Sequence, residues 1–212
     1  MRFIGFYNYT VILTYLSLVS SMIGIKLAFD GEFFASMACL ATSGILDMFD
    51  GAVARTKKDR TQDQKNFGIQ LDSLCDVVCF GVFPAIFLYF NGVDSIFGIA
   101  LLILFVLCAV IRLAFFNVLE TKRQATEGGV TKKYRGLPVT STAIIVPIIF
   151  LLQYVLDDNV MVIIYHVLAV AIPFLFILDI GIPKIKIDAL FQKKSKKTKK
   201  KCKKTIKNVK KT

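Results

Sequence analysis

Residues Gly68–Phe90 read GIQLDSLCDVVCFGVFPAIFLYF, 23 positions with no base and two acids, Asp72 and Asp76. About 20 helical residues cross a ~30 Å hydrocarbon core, so this run has the length of a membrane span. Charge inside a span is costly, and an intramembrane acid marks function by default. The run before it, Phe33–Ala54, ends on the same feature, with Asp47 and Asp50 near its close. Asp47 and Asp50 are three apart and Asp72 and Asp76 four apart. Both spacings put a pair on one helical face. The hairpin Arg55–Phe67 turns the chain back, so all four carboxylates are expected to converge at one depth, just below one membrane surface.

Four further runs have similar character: Tyr9–Phe29, Ser95–Leu119, Pro138–Leu156 and Val160–Ile180. The expected fold is therefore all-α, an integral membrane bundle of six transmembrane helices. Apolar residues make up 55% of the 212, more than a soluble domain of this size can hide. The runs are continuous, without the short alternating strands of a β-barrel. The first run is long, lacks a clear cleavage site and is followed by five others, so it reads as a span and not a signal peptide. Cys39, Cys75, Cys79 and Cys108 sit in apolar runs and Cys202 among lysines, which excludes a disulfide scaffold. One histidine and no paired CxxC argue against zinc. That histidine, His166, lies in an aliphatic run and reads as packing.

The loops Arg55–Phe67 and Glu120–Leu137 carry five Lys/Arg each, while the short loops hold acids. By the positive-inside rule both termini and these two loops are cytoplasmic. The organisation expected is a six-span domain over 1–192 and a disordered Lys-rich cytoplasmic tail over 193–212. That tail has 12 lysines in 20 residues and no aromatic residue. Attraction to anionic lipid head groups suits it better than nucleic acid, which would want stacking rings. A plain solubilising role is the alternative.

Four carboxylates so close cannot all stay ionised without cations. Oxygen-only ligands suit Mg²⁺, Mn²⁺ or Ca²⁺, and two divalent ions would balance the four charges. Paired metals are a recurring device in phosphoryl transfer. Gly51, Ala52, Ala54 and Gly68 leave room for a ligand or a helix backbone. Arg55 could grip phosphate with two parallel hydrogen bonds. Acids that merely brace a bundle would need basic partners, and the spans offer only Arg112 away from their ends. A cation pathway would spread its acids through the membrane depth, and these cluster at one end. There is no inverted internal repeat of the transporter kind.

The residues read Asp47-x2-Asp50-Gly51-x2-Ala54-Arg55-x12-Gly68-x3-Asp72-x3-Asp76. This resembles the signature of the CDP-alcohol phosphatidyltransferases. Eight fixed residues match by chance on the order of 10⁻¹⁰ per start position. The gap after Arg55 is 12, where the family more usually has about eight; the surplus is polar and lengthens the surface hairpin. Leu71–Ala85 is similar to the LDSxxDxVxFGVxPA pattern of the CDP-diacylglycerol–serine O-phosphatidyltransferase branch. Arg112-Leu113-Ala114 with Phe116-Asn117-Val118 resembles that branch's RLARFNV, except that Phe115 replaces the second Arg. Gly136-Leu137-Pro138 resembles its GLP element. The match around Asn8, Thr10 and Thr14 is loose.

The resemblance implies an enzyme that transfers a phosphatidyl or archaetidyl group from CDP-diacylglycerol or CDP-archaeol to the hydroxyl of L-serine, releasing CMP. Asp47, Asp50, Asp72 and Asp76 would bind two divalent cations, Mg²⁺ or Mn²⁺. Asp50, Gly51, Ala54, Arg55 and Gly68 would line the CDP site, and Asp76 would be the general base. Arg112, Arg135 and Asn117 are the candidates for binding serine or a phosphate. A homodimer in the cell membrane, multi-pass and with its active site facing the cytoplasm, is the expected assembly. The rivals are the same chemistry on glycerol 3-phosphate or an inositol phosphate, and a divalent-cation transporter. A phosphorylated acceptor would want a cluster of bases, and only Arg112 and Arg135 are obvious.

Overall fold

A computed structural model describes residues 5–7, 9–54, 59, 61–125, 133–135, 137–179 and 181–183. Helix α1 spans Ile12–Phe29 and α2 spans Phe33–Ala54. A tight turn joins them, with Gly31 at φ +81, a conformation that suits glycine. Helix α3 runs unbroken over Gln62–Phe90, and α4 over Ile96–Ala125. Strand β1, Lys133–Arg135, precedes α5, Thr142–Phe150, which is flanked by 3₁₀ turns at Val139–Ser141 and Leu151–Tyr154. Helix α6 covers Asp158–Ile177, and β2 is Gly181–Pro183.

Five helices, α1, α2, α3, α4 and α6, are long and apolar enough to cross a membrane. Among the described residues the only strands are the three-residue antiparallel pair β1–β2, in which Tyr134 pairs in register with Ile182. That pair departs from a purely helical expectation. Residues before a proline are held out of the α region, so the chain at Ile182-Pro183 leaves the last helix extended and lies beside β1. The fifth apolar run, Pro138–Leu156, yields a helical stretch shorter than the others, Val139–Tyr154. Pro147 lies inside it, and a proline removes one backbone donor.

Two helices outrun their apolar sequence. Helix α3 starts six residues before Gly68, because Thr61 caps it: its Oγ1 accepts from the Gln64 N–H at 3.3 Å. Asp63 in the first turn complements the helix dipole. Helix α4 continues past Leu119 through Glu120–Ala125, residues that mostly favour helix without being apolar. Hydropathy sees neither extension, since both are largely polar.

The core is aromatic and lies toward the α3 C-terminal half. Phe80, Phe83, Phe87, Phe105, Phe150 and Phe176 are fully buried. Phe87 meets Phe33, Phe150 and Tyr165 edge-on, at centroid distances of 5.8, 5.5 and 6.2 Å. Large apolar side chains such as Ile12, Ile103, Leu107 and Ile163 point outward, the arrangement of a bundle whose solvent is lipid. Small residues bring backbones together: a Cβ on Gly44 would sit 2.5 Å from the Ala143 Cβ. Between α1 and α2 a buried hydroxyl seam replaces apolar packing, with Ser17 and Ser43 oxygens 2.7 Å apart and Ser21 donating to Ser43 at 2.9 Å.

Immediately after Asp76, α3 widens into a π turn over Val77–Val82, where the Phe83 N–H reaches back to the Val78 carbonyl. Thr142 Oγ1 donates to the Phe80 carbonyl in this turn at 3.1 Å. Such turns recur at functional sites.

Candidate active site

The acids near the C-terminal end of α2 meet those midway along α3. Oxygen atoms of Asp47, Asp50 and Asp72 lie within 4.8 Å of one another. Asp76 lines the same cavity beside them, a space of about 490 Å³ bordered by all four. Asp50 and Asp76 are each only 8% exposed. From α1, Thr14 Oγ1 donates to Asp50 Oδ2 at 2.9 Å and orients that carboxylate.

The opposite wall is α4. Arg112 is 6% exposed, its Nε donates to the Leu137 carbonyl at 3.3 Å, and its guanidinium lies over the Phe116 ring, 5.1 Å from the centroid. It does not snorkel free of the bundle. Arg112 and Asp179, which lies just beyond α6, also line one small apolar pocket. One turn on, Asn117 accepts from the Ser73 hydroxyl at 2.7 Å and donates to Gln70 at 3.4 Å. Pro138, Val139 and Thr140 close the cavity from the chain leading into α5.

The donor set fits hard divalent cations. Asp72 Oδ1 is buried and has no hydrogen-bond partner, and an orphaned buried carboxylate oxygen costs free energy unless a cation or donor meets it. Three carboxylates within ligating reach and a fourth beside them supply oxygen alone, the preference of Mg²⁺, Mn²⁺ or Ca²⁺.

The structure thus brings together Asp47, Asp50, Asp72, Asp76, Arg112 and Asn117 around one cavity. Gly51 and Gly68 are half-buried on their helices and do not line it, and Ala54 is the last residue of α2. Arg135 belongs to β1, with its backbone paired to Gly181. Arg55, Gly136, Asn8 and the tail 193–212 lie outside the described residues. His166, read as packing, has its Nδ1 2.8 Å from the Val162 carbonyl, one turn back on the same helix. Sequence reasoning missed the cavity positions of Ser73, Phe116, Thr140 and Glu120. Ser73 stood inside the quoted LDS segment, and Glu120 was hidden because it begins the polar extension of α4.

Comparison with known proteins bears directly on this constellation. Residues 7–177 match the family model for CDP-alcohol phosphatidyltransferase. The chain belongs to the CDP-alcohol phosphatidyltransferase family. The matched span takes in α1 to α6 and every aspartate of the cavity. Members of this family generally use divalent metal, in keeping with the donor set described above. Among curated members, an archaetidylserine synthase of Methanothermobacter thermautotrophicus is 37% identical over 142 residues, 66% of this chain and 56% of that protein. A CDP-diacylglycerol–serine O-phosphatidyltransferase of Methanocaldococcus jannaschii is 35% identical over 150 residues, 70% of this chain and 64% of the relative. One of the same name from Mycobacterium tuberculosis is 38% identical over 109 residues, 51% of this chain and 37% of the relative. The chain therefore spans between about a third and two thirds of the length of these relatives.

Proposed function

We propose that the protein transfers a phosphatidyl or archaetidyl group from a CDP-activated lipid to L-serine, with release of CMP. The observation that carries this reading is the gathering of four aspartates from two helices around a cavity whose far wall holds one buried arginine. The names of the curated relatives supply the acceptor. Asp47, Asp50, Asp72 and Asp76 hold two divalent cations, Mg²⁺ or Mn²⁺. When bound, these cations neutralise the pyrophosphate and act as Lewis acids toward its oxygens.

Asp76 lines the cavity and takes the proton of the serine hydroxyl. The serine oxygen then bonds to the lipid-side phosphorus while the bond from that phosphorus to the CMP oxygen breaks. Arg55, with Asp50, Gly51, Ala54 and Gly68, receives the CDP moiety, and the cationic Arg55 offsets charge on the leaving CMP. Arg112, Asn117 and Arg135 serve the acceptor side.

The same reading implies six crossings, with both termini cytoplasmic, and a homodimer in the cell membrane. The stretch around α5 supports the sixth crossing. Its nine α-helical residues rise ~1.5 Å each and its seven 3₁₀ residues ~2.0 Å each, which together cover about 27 Å, close to the hydrocarbon thickness. The six-span domain occupies 1–192, and the Lys-rich tail 193–212 meets anionic lipid on the cytoplasmic side. Cys202 in that tail is a built-in probe: a membrane-impermeant thiol reagent should label it only from the cytoplasmic side of sealed vesicles. Labelling from the other side would overturn the cytoplasmic placement of the C-terminus.

The deciding experiment is CMP release by purified protein supplied with CDP-lipid, Mn²⁺ or Mg²⁺, and a panel of acceptors. L-serine should support release, and glycerol 3-phosphate and inositol phosphates should not. Release with a phosphorylated acceptor alone overturns serine, and no release with any acceptor overturns the transferase.

A further inference from the structure

We infer that Ser73 and Asn117 form a strut across the edge of the cavity and are positioning residues: they set how far the α4 wall bearing Arg112 stands from the aspartates of α3. The inference rests on the reading that this cavity is the reaction site, and it specifies how Asn117 serves the acceptor side.

Helices α3 and α4 are pinned to each other at two levels. At one, Gly81 packs so close to α4 that a Cβ added to it would lie 3.2 Å from the Ala109 Cβ. At the other, the Ser73 hydroxyl donates to Asn117 Oδ1 at 2.7 Å, and Asn117 Nδ2 donates to Gln70 Oε1 at 3.4 Å. Ser73 precedes Gly81 by eight residues and Asn117 follows Ala109 by eight. The helices therefore run antiparallel with the two pins in register, roughly 12 Å apart. Between the pins lie Asp76 on α3 and Arg112, Leu113 and Phe116 on α4, all lining the cavity.

The chemistry of the strut suits holding better than binding. A carboxamide has an acceptor end and a donor end, and α3 engages both ends of Asn117. The two partners, Gln70 and Ser73, are three residues apart and share one helical face. A single bond would let α4 swing about it, whereas two fix rotation as well as distance. On a regular helix Ser73 stands about 60° from Asp76, and Gln70 about 60° further round. The strut thus meets α3 beside the aspartates and not through them. Between the pins open volume takes the place of packing, so the polar pair supplies a constraint that side-chain contact supplies elsewhere in the bundle. Phe116 adjoins Asn117, and the Arg112 guanidinium lies over its ring, 5.1 Å from the centroid. Movement of α4 at Asn117 would carry the ring, and with it the head of Arg112, away from its place opposite the aspartates.

The test measures kcat, KM for L-serine and the Mn²⁺ requirement in the unmodified protein, Ser73→Ala, Asn117→Ala, the double variant and Ser73→Thr. A displaced wall leaves serine bound in poor geometry, so kcat should fall by about ten- to a hundredfold in each alanine variant, while KM for serine moves by less than about threefold. The Mn²⁺ requirement should stay within about twofold, since the strut meets α3 beside the proposed ligands. The double variant should be no more than about threefold slower than the slower single one, because both substitutions break the same strut. Ser73→Thr keeps the hydroxyl and should recover most of the lost kcat. A rise in serine KM of about tenfold in Asn117→Ala, absent from Ser73→Ala, would make Asn117 a ligand and overturns the inference. So do losses that multiply in the double variant, an unchanged kcat in both single variants, or a Mn²⁺ requirement that climbs as kcat falls. Should an alanine variant not survive purification, Ser73→Cys takes its place with a weak donor of similar size: a partial loss of kcat at constant KM supports the strut, and full kcat overturns it. Failure of the underlying reading shows separately, in the unmodified protein, as no CMP release with L-serine.

Discussion

The two halves of α3 obey different rules. From Phe83 to Phe90 the helix is locked into an aromatic core, with Phe83, Phe87 and Leu88 wholly inaccessible. From Gln62 to Asp76 the same helix borders a cavity and carries two acids that face two more from α2. The first half maximises contact. The second keeps open volume and tolerates a buried carboxylate oxygen with no hydrogen-bond partner. Lipid solvates apolar side chains as well as a protein interior does, so the packed half gains chiefly from close fit. The open half sacrifices such fit to keep charged groups where a substrate can reach them. Stability and chemistry are therefore segregated along one helix, and variants in the two halves should fail in different ways.

The strongest effect should come from the open half. Asp76→Asn keeps size but cannot accept the serine proton, so turnover should fall by about 10²–10⁴, the usual worth of a general base. If the proposed roles hold, CDP-lipid binding should weaken less in that variant than in Asp47→Asn, which would take charge from the cation cluster proposed to grip the pyrophosphate. Separate measurement of lipid affinity and turnover distinguishes the two. Near-normal turnover in Asp76→Asn would remove it as the base. Excess chelator should likewise abolish CMP release, and added Mn²⁺ or Mg²⁺ should restore it.

Next in size is a lesion in the packed half. Phe87→Ala leaves a cavity beside Phe33, Phe150 and Tyr165. It should lower stability by up to roughly 3 kcal/mol, read as earlier thermal inactivation in detergent, with little change in KM for either substrate. A matching loss of CDP-lipid affinity would show that the halves are not separable. Smaller again is Thr14→Val, which removes the hydroxyl that orients Asp50. Its Mn²⁺ requirement should rise by about ten- to a hundredfold, as for other residues that position a metal ligand, with thermal stability nearly unchanged. The smallest effect should follow deletion of residues 193–212. Turnover in neutral micelles should hold, while the advantage conferred by anionic lipid should shrink.

Much of the open half was legible before any coordinates. Acids at spacings of three and four, on runs joined by a polar hairpin, have one plausible meeting place, and the structure gathers Asp47, Asp50, Asp72 and Asp76 there. Arg112 was legible too, as a base with no excuse to be in a span. What hydropathy could not reveal were features that leave the apolar register unchanged or lie beyond it. The polar ends of α3 and α4 lie outside the apolar runs, so Thr61 as a cap and Glu120 as a cavity residue were invisible to it. The fifth run was long enough by composition, yet its proline and its two 3₁₀ turns make the helix proper only nine residues. Hydroxyl contacts such as Thr14 with Asp50 link residues 36 apart, and no local pattern announces them.

The π turn at Val77–Val82 has a bearing on how such chains should be read. One extra residue in a turn rotates everything after it by on the order of 100° relative to a regular helix. A helical wheel drawn with a single period through Gln62–Phe90 would align Asp72 and Asp76 correctly and then misplace Phe83 and Phe87 by about a quarter of the circumference. The helix thereby uses one sequence to address two neighbours in different directions, the α2 acids before the turn and the aromatic core after it. Deleting a single residue between Val77 and Val82 should regularise the helix and turn one of those two faces away from its partners, with almost no change in composition or hydropathy.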